Sequence, residues 1–270
     1  MKYIVIIPVY KDNINELERL SLVQCLKVLN RYDICLCSPS DIDLSLYREL
    51  FLQCNKVFRV EFFENLYFKG VEGYNRLMLS SFFYSRFSNY EYMLVYQLDA
   101  YVFRDELEYW CLRKYDYIGA PWFNKDGSLC DLSCGNGGFS LRKIETFLSL
   151  FKIPHSERLL TLKGLLYYYR YSKPLPKLKC VLEGFLGLRN SLDVFLMRNM
   201  INEDFFYSAL KFKRNIGFNI PASIDAMFFK REKHPMFLFK KTKGRLPFGC
   251  HAWYRYDYDS FWEKFINLKR

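Results

Sequence analysis

The 270-residue chain lacks most of the short motifs that assign a protein quickly to a functional class. It contains neither the G-x-G-x-x-G pattern of dinucleotide-binding folds nor the G-x-x-x-x-G-K-[ST] pattern of P-loop proteins. A G-x-S-x-G nucleophile setting is also missing from the sequence. The sequence therefore does not indicate a dinucleotide-binding fold, a P-loop or a serine hydrolase.

Long apolar runs and paired cysteine motifs are missing as well. No stretch of 18 or more apolar residues is free of charge, so no membrane-spanning helix is predicted. The first eight residues hold one positive charge and a short apolar run, which predicts a buried strand rather than a signal peptide. The nine cysteines are odd in number and lack zinc-ligand spacing, which predicts buried free thiols in a reducing cytoplasm.

Positive charge is concentrated in the second half of the chain. Residues 1–150 carry a net charge of −2 and residues 151–270 a net charge of +13. A basic half attracts nucleotides, phospholipid head groups or nucleic acid, although a merely soluble basic surface is the alternative. Residues 155–192 combine basic, aromatic and apolar residues around Pro174 and Pro176. This composition predicts a basic helical insertion of two amphipathic segments, lying either on an anionic membrane or on the domain as a lid.

Apolar runs typical of buried strands alternate with helical periodicity in the first hundred residues. The predicted strands cover residues 3–9, 34–37, 56–60 and 92–98, and the predicted helices cover residues 12–30 and 74–87. This alternation predicts an α/β fold with a mixed, mainly parallel central sheet flanked by helices, formed by one domain over residues 1–270. Ligands of such sheets bind beyond the carboxyl ends of the strands.

Two candidate site segments follow predicted strands. The first strand ends at Pro8-Val9-Tyr10, where Tyr10 is available to stack on a nucleobase. Asp99 follows the strand at residues 92–98. A carboxylate there is costly to bury unless it binds a partner such as a divalent cation that bridges a diphosphate, and a turn-forming Asp is the alternative.

A glycine-rich segment lies in the second half of the chain. Gly137 and Gly138 allow backbone amides to approach a ligand closely, unless they form an ordinary turn. Ser140 and Arg142 follow in the sequence, and their side chains are candidate hydrogen-bond donors to an acceptor sugar or to a diphosphate.

Acidic, histidine and tryptophan positions complete the candidate site. Asp204, with Glu203 as second choice, is either a helix-start residue or a general base that deprotonates an acceptor hydroxyl. His251 is either a structural histidine or a contact to a metal or diphosphate. Trp122 and Trp253 are candidate surfaces for sugar faces.

The motifs, taken in order, resemble a bacterial family, the domain-of-unknown-function family DUF5672, which is regarded as glycosyltransferase-like with a GT-A fold. The segments that carry the resemblance are Ile7–Tyr10, Tyr74–Ser80, Gln97–Ala100, Gly137–Arg142, Glu203–Phe206 and Pro247–Trp253. The resemblance implies that residues 1–125 bind a nucleotide-diphospho-sugar, with a UDP-sugar favoured. It implies that residues 126–270 bind a glycan or lipid-linked glycan acceptor.

The resemblance also implies roles for individual residues. Together with the reading of the residues themselves, it gives a predicted donor-binding set of Pro8, Val9, Tyr10, Asn75, Arg76, Gln97, Asp99 and Ala100, and a predicted acceptor-binding set of Trp122, Gly137, Gly138 and Trp253. Glu203 and Asp204 resemble the acidic pair that supplies the base in inverting enzymes. Asp99 and His251 would hold Mn²⁺ or Mg²⁺. Because Tyr101 replaces the second acid of the Asp-x-Asp motif, metal-free catalysis with Arg and Lys at the diphosphate is the competing interpretation.

Two other classes stay open at this point. A nucleic-acid-binding protein would use the basic half, but helix-turn-helix, zinc-finger and RNP signatures are missing and the acids would be unhelpful there. A non-catalytic nucleotide-sugar-binding protein is suggested by the change at Tyr101. We expect a cytoplasmic enzyme, peripheral at the inner face of the plasma membrane, that does not bind nucleic acid.

Overall fold

The computed structural model of the protein describes residues 2–124, 126–170, 173–188, 190–192, 195, 202–215 and 217–268, without the side chains of residues 131–133. Within these ranges, no helix is both long enough and apolar enough to cross a membrane. Positions 171, 172 and 189 of the predicted basic insertion lie outside the described residues.

A six-stranded mixed sheet forms the centre of the molecule, with strand order β3-β2-β1-β4-β9-β6. β1 is parallel to β2 and to β4, β3 is parallel to β2, and β9 is antiparallel to both β4 and β6. The strands are β1 (Tyr3–Pro8), β2 (Asp33–Ser38), β3 (Val60–Phe62), β4 (Tyr92–Tyr96), β5 (Ala100–Val102), β6 (Tyr117–Ile118), β7 (Ala120–Phe123), β8 (Leu129–Gly135), β9 (Phe139–Lys143), β10 (Lys230–Arg231) and β11 (Gly249–His251).

Helices connect these strands. They are α1 (Glu16–Val28), α2 (Ser45–Gln53), α3 (Gly70–Met78), α4 (Ser81–Ser85), α5 (Leu107–Leu112), α6 (Ile144–Leu150), α7 (Leu162–Tyr168), α8 (Pro174–Phe185), α9 (Glu203–Ala209), α10 (Ser223–Phe229) and α11 (Pro235–Lys241). Short 3-10 helices cover Asn65–Phe68, Leu210–Phe212 and Trp262–Lys264. The predicted α/β fold with a mainly parallel sheet and a helical basic insertion is confirmed.

Two predicted elements differ in their bounds. The strand predicted at residues 56–60 is wrong for its first four residues, because β3 begins only at Val60. The helix predicted at residues 74–87 is two helices, α3 and α4. The break falls at Ser80, whose extended backbone lets the side chain accept a hydrogen bond from the Phe83 amide and so begin α4.

A small second sheet, with order β10-β11-β5, brings the C-terminal part of the chain back to the central sheet. β5 follows β4 after a short turn and pairs with β11 in antiparallel register, so that His251 lies opposite Ala100. This pairing places His251 next to Asp99, which lies in the turn between β4 and β5, although the two residues are far apart in the sequence.

Two apolar clusters stabilise the fold. The larger one surrounds the central sheet and includes residues from both halves of the chain. The smaller one is built around Trp253 and Trp262, against which Tyr101 and Phe103 pack. The nine cysteines are reduced thiols, as predicted, and all except the half-buried Cys54 and Cys180 are buried.

Gly119 marks a close backbone approach beside the glycine-rich turn. A Cβ atom added there would lie 2.0 Å from the carbonyl oxygen of Gly135 and 2.9 Å from that of Asn136. We expect Gly119→Ala to lower the free energy of unfolding by about 1–3 kcal/mol, because these backbone oxygens cannot retreat without moving the turn.

The matched control is Gly217→Ala, since a Cβ atom on Gly217 meets nothing within 4 Å. We expect its effect to stay within about 0.5 kcal/mol. Urea unfolding of both variants measures the difference, and equal stabilities would show that the approach at Gly119 is not sterically constrained.

Candidate active site

A cavity of about 540 Å³ opens at the carboxyl ends of the parallel strands β1 and β4. This is the edge of an α/β sheet at which ligands bind. Its walls are Pro8, Val9, Tyr10, Lys11, Glu18, Tyr47, Tyr67, Phe68, Gly70, Val71, Tyr74, Asn75, Gln97, Leu98, Asp99, Asn136, Gly137, Gly138, Asn202, Glu203, Asp204, His251, Tyr254 and Arg255. The cavity therefore joins segments from the whole length of the chain.

The end of β1 forms the mouth of the cavity. Tyr10 is 60% exposed, and the Lys11 ammonium lies over its ring at 5.9 Å from the centroid. The Lys11 ammonium lies 2.7 Å from Glu18 Oε1, and Glu18 also completes the capping box of α1 with Asn15. An aromatic face next to a fixed cation suits a flat, negatively charged ligand.

His251 lies between two carboxylates deeper in the cavity. Its Nε2 atom is 2.9 Å from Asp99 Oδ1 and 3.1 Å from Gln97 Oε1, and its Nδ1 atom is 3.2 Å from Glu232 Oε2. A neutral imidazole carries a single N–H and can satisfy only one of two opposed carboxylates. The arrangement therefore requires either an imidazolium or a cation shared between Nε2 and Asp99.

Electrostatics at this cluster favour the charged forms of Asp99 and His251 and disfavour that of the neighbouring Lys230. Burial acts to raise the pKa of Asp99, but the hydrogen bond with His251 and the Arg255 and Lys230 charges bring that pKa below its ordinary value. Burial and Lys230 act to lower the pKa of His251, and the two flanking carboxylates outweigh them and raise it. Burial lowers the pKa of Lys230 to about 8, and the ammonium donates to the side-chain and backbone oxygens of Asn136.

The glycine-rich turn is fitted closely against these side chains. A Cβ atom on Gly138 would lie 2.0 Å from His251 Nε2 and 2.6 Å from Gln97 Oε1. A Cβ atom on Gly137 would lie 2.2 Å from Glu203 Oε1. Both positions therefore require glycine because functional side chains occupy the space that a Cβ atom would take.

Glu203 is held by a buried ion pair. Its Oε1 atom accepts a hydrogen bond of 2.8 Å from Arg142 Nη2, and both side chains are almost completely buried. The Arg142 guanidinium also donates to Ser140 Oγ at 3.1 Å and to the Tyr84 hydroxyl at 2.9 Å. The backbone amide of Glu203 donates to Asn75 Oδ1. These contacts fix the start of α9 to the central sheet.

Asp204, the next residue, forms no ion pair like that of Glu203 with any residue in the described ranges, and the Lys230 charge only partly offsets the cost of burying its carboxylate. Its Oδ1 atom accepts a hydrogen bond of 2.7 Å from the Phe205 amide, and its side chain lines the cavity. Burial, reinforced by the charge on Glu203, raises the pKa of Asp204 to about 7. A carboxyl group with this pKa can accept a proton near neutral pH.

Most of the residues predicted from the sequence line this cavity, but some lie elsewhere. Arg76 is exposed on α3 and pairs with Glu72 at 2.7 Å. Ala100 is buried in β5, where its carbonyl accepts from Ser21 Oγ. Trp122 stacks on Phe205 at 4.5 Å between ring centroids and donates to Ser208 Oγ. These positions place the three predicted residues outside the cavity wall.

Trp253 and Arg142 also depart from their predicted surroundings. Trp253 is fully buried in the smaller apolar cluster, so its ring has no face open to a sugar. Arg142 is fully buried against Glu203 and cannot reach a ligand in the cavity. Arg142 pairs with a residue that is distant in sequence, and Trp253 packs on both Tyr101 and the nearby Tyr258, so neither environment follows from the local motif alone.

Sequence reasoning missed Lys11, Glu232, Tyr254 and Arg255. Lys11 directly follows the β1 motif, and Tyr254 and Arg255 directly follow the histidine motif, so extending each motif by a few residues would have found them. Glu232 has no such signal, because only the pairing of β10 with β11 brings it to His251.

The side chains around His251 include oxygen and nitrogen atoms of the kinds that bind divalent cations. Among the described residues, no group of three or more His, Cys, Asp or Glu side chains is arranged to hold a metal ion. Asp99 and His251 nevertheless face each other with Gln97 Oε1 beside them. The Glu232 contact at Nδ1 orients the ring so that Nε2 points into the cavity, the support that metal-binding histidines usually have. Asp99, His251 and the Gln97 amide oxygen would therefore suit a divalent cation that completed its coordination with ligands from outside the protein.

A family model matches residues 57–251, and its description is "Protein of unknown function (DUF5672)". The chain belongs to the DUF5672 family. The matched region contains Asp99, Gly137–Gly138, Glu203–Asp204 and His251, whereas the end of β1 precedes it. The predicted resemblance is therefore confirmed. A search of curated proteins finds no match to this chain.

Solved structures show distant similarity to this DUF5672 protein. The galactosyltransferase LgtC in complex with donor and acceptor sugar analogs shares 12% identity, with a TM-score of 0.46 over 92% of this chain and 86% of that chain. Core-mannan synthase A from Aspergillus fumigatus, in an Mn/GDP form, shares 11% identity, with a TM-score of 0.39 over 76% of this chain and 71% of that chain. The glycosyltransferase GlyE of Streptococcus pneumoniae shares 12% identity, with a TM-score of 0.46 over 93% of this chain and 54% of that chain.

The ion pair between Arg142 and Glu203 predicts different effects for the two neighbouring acids. We expect Glu203→Gln to lower the free energy of unfolding at pH 8 by about 3–5 kcal/mol, because the buried guanidinium loses its counter-charge. We expect Asp204→Asn to leave the stability unchanged or to raise it at this pH, since it removes a carboxylate whose ionisation burial disfavours. Urea unfolding of both variants measures the contrast, and an equal loss in the two would contradict the assignment.

Proposed function

We propose that this DUF5672 protein is a GT-A-like glycosyltransferase that moves a sugar from a nucleotide-diphospho-sugar to an acceptor hydroxyl. The observation that carries the proposal is the convergence of Asp204, Asp99 and His251 on one cavity at the carboxyl ends of β1 and β4. A base near neutral pKa and a cluster suited to a diphosphate are the two elements that sugar transfer needs.

The donor occupies the side of the cavity next to β1 in this proposal. Tyr10 stacks on the nucleobase, and a UDP-sugar is the favoured donor. Lys11 and Arg255 supply positive charge on this wall, and Asp99 and His251 lie at its inner end. Positive groups placed where the leaving diphosphate gathers charge lower the barrier to its departure.

The chemical step is a single displacement with inversion of the anomeric carbon. The Asp204 carboxylate takes the proton of the acceptor hydroxyl, and the oxygen forms a bond to the anomeric carbon. The bond from that carbon to the diphosphate oxygen breaks, and the nucleoside diphosphate leaves with the electron pair. Glu203 is not the base in this mechanism, because Arg142 already holds its carboxylate.

Asp99 and His251, with Gln97 beside them, would hold Mn²⁺ or Mg²⁺. When bound, such an ion would supply Lewis-acid neutralisation of the diphosphate. Glu232 keeps the His251 ring oriented towards it. Tyr101, at the position of the missing second acid, packs against Phe103 and Trp253 instead of facing the cavity, so Asp99 is the acid available at this strand end.

The acceptor is a glycan or a lipid-linked glycan, which enters on the side of the cavity formed by Gly137, Gly138 and Asp204. The proposed location is the cytoplasm, with peripheral attachment to the inner face of the plasma membrane. Nucleic acid is not an expected ligand, because carboxylates line the interior of the cavity.

The protonation state of Asp204 predicts the pH dependence of transfer. The raised pKa leaves Asp204 protonated and inactive below about pH 7 and charged and active above it. We expect the rate of transfer to rise with pH through this value and to fall by about 10²–10⁴-fold in Asp204→Asn at pH 8. Release of nucleoside diphosphate in the presence of acceptor measures the rate.

The control for this experiment is Asp259→Asn, an exposed acid outside the cavity wall, which should keep the wild-type rate and pH profile. Donor binding should survive in Asp204→Asn, because the variant loses the base and keeps the diphosphate cluster. Full activity in Asp204→Asn would contradict the assignment of the base. Donor binding without any turnover in the wild type would favour a non-catalytic binding protein.

The Asp99 and His251 cluster predicts a metal-dependent stabilisation by nucleotides. We expect a nucleoside diphosphate at about 100 times its dissociation constant to raise the melting temperature by about 5 °C, and Mn²⁺ to increase this shift. Asp99→Asn should remove the Mn²⁺-dependent increment, whereas Asp126→Asn, an exposed loop acid, should retain it. A melting temperature that no nucleoside diphosphate changes, with or without Mn²⁺, would contradict the proposed donor site.

A further inference from the structure

The helix α8 has an apolar face that no described part of the chain covers. Leu175, Leu178, Leu182 and Leu186 are 81%, 58%, 53% and 64% exposed, respectively. At 100° per residue these four positions fall on one stripe along the helix and its C-cap. They are therefore not scattered surface leucines but one continuous apolar face.

The opposite side of α8 anchors the helix to the protein. Val181 and Gly184 are buried, and a Cβ atom on Gly184 would lie 2.8 Å from Leu165 on α7. This close packing fixes the direction of the leucine stripe. One face of α8 thus packs on its own domain, and the opposite face has the apolar pattern of a surface that packs on a partner.

Basic side chains surround the stripe. Lys173 precedes α8, Lys179 lies on it with its side chain 74% exposed, and the exposed Arg158 donates to the Leu186 carbonyl at 2.8 Å. The acids in the segment are Glu157 and Glu183, and Glu183 is within 4.0 Å of Lys179. Residues 155–192 carry seven basic and two acidic residues, so the segment that contains α8 has a net positive charge.

We propose that the α8 leucine face docks onto an anionic lipid surface, with α8 lying in the plane of the head groups. Its leucines would enter the boundary between head groups and acyl chains, and Lys173, Lys179 and Arg158 would contact lipid phosphates. A second copy of the chain is a poor occupant, because a two-fold contact would bring two clusters of positive charge together.

The face is connected to the candidate active site through packed rings. α7 packs against α9, the helix that begins with Glu203 and Asp204. The rings of Tyr168, Phe195 and Phe206 follow one another at 5.0 and 4.9 Å between centroids. Docking of α8 would therefore hold α9, the helix that carries Asp204, at a fixed height above the bilayer. This docking proposal goes beyond the proposed transfer reaction and does not depend on it.

Co-sedimentation of the full-length protein with vesicles tests this proposal without any turnover. Vesicles of phosphatidylglycerol and phosphatidylcholine should bind the protein at about 0.1 M salt, and vesicles of phosphatidylcholine alone should bind it weakly. The variant L175S/L182S should bind anionic vesicles at least about tenfold less. The variant K173Q/K179Q should also bind about tenfold less, and the remaining binding should depend less on salt.

Matched control variants distinguish vesicle binding by the α8 face from non-specific vesicle binding and from the effects of unfolding. Leu52→Ser changes a leucine that is 65% exposed on α2, and Lys27→Gln changes an exposed lysine on α1. Both should bind vesicles like the wild type. Circular dichroism and melting temperature should confirm that every variant is folded, since the substituted side chains are exposed.

Three outcomes would overturn the proposal. The first is that the folded wild type does not bind anionic vesicles. The second is that L175S/L182S binds them as well as the wild type does. The third is that the wild type is a dimer by light scattering and L175S/L182S is a monomer, which would show that the face covers a second copy. Each outcome is independent of sugar transfer, so a failure here is distinguishable from a failure of the proposed function.

Discussion

The candidate active site depends on the buried ion pair between Arg142 of β9 and Glu203 at the start of α9. A buried guanidinium is stable only when its donors are satisfied, and here Glu203, Ser140 and Tyr84 accept from it. The pair fixes α9 against the central sheet and so places Asp204 in the cavity wall. Burial in that wall, reinforced by the Glu203 charge, then raises the pKa of Asp204 to about 7.

The glycine-rich turn between β8 and β9 is a second constraint on the site, because it must leave space for side chains of the cavity. Gly137 leaves room for the Glu203 carboxylate, and Gly138 leaves room for His251 and Gln97. The turn therefore allows the acidic pair of α9 and the histidine cluster of β11 to lie on two sides of one cavity. Residues with a Cβ atom at these two positions would take the space of Glu203, His251 and Gln97, so these side chains could not lie at one cavity.

The sequence predicted the sheet and much of the cavity wall because both depend on local patterns. Buried parallel strands appear as apolar runs, and residues after them necessarily share one edge of the sheet. It misjudged Trp253 and Arg142, because the burial of Trp253 in the smaller apolar cluster and the ion pair of Arg142 with Glu203 arise only when the chain folds. It gave no indication of Glu232, because the contact with His251 exists only once β10 pairs with β11.

The claim that Asp99, His251 and Asp204 converge on one donor site is best tested by a crystal structure of the protein with a nucleoside diphosphate and Mn²⁺. Such a structure locates the ligand relative to the Asp99 and Asp204 carboxylates. We expect the nucleobase to lie against Tyr10, the diphosphate beside Asp99 and His251, and the Asp204 carboxylate to face the position of the donor sugar. A ligand bound outside this cavity, or an Asp204 side chain turned away from the bound diphosphate, would contradict that claim.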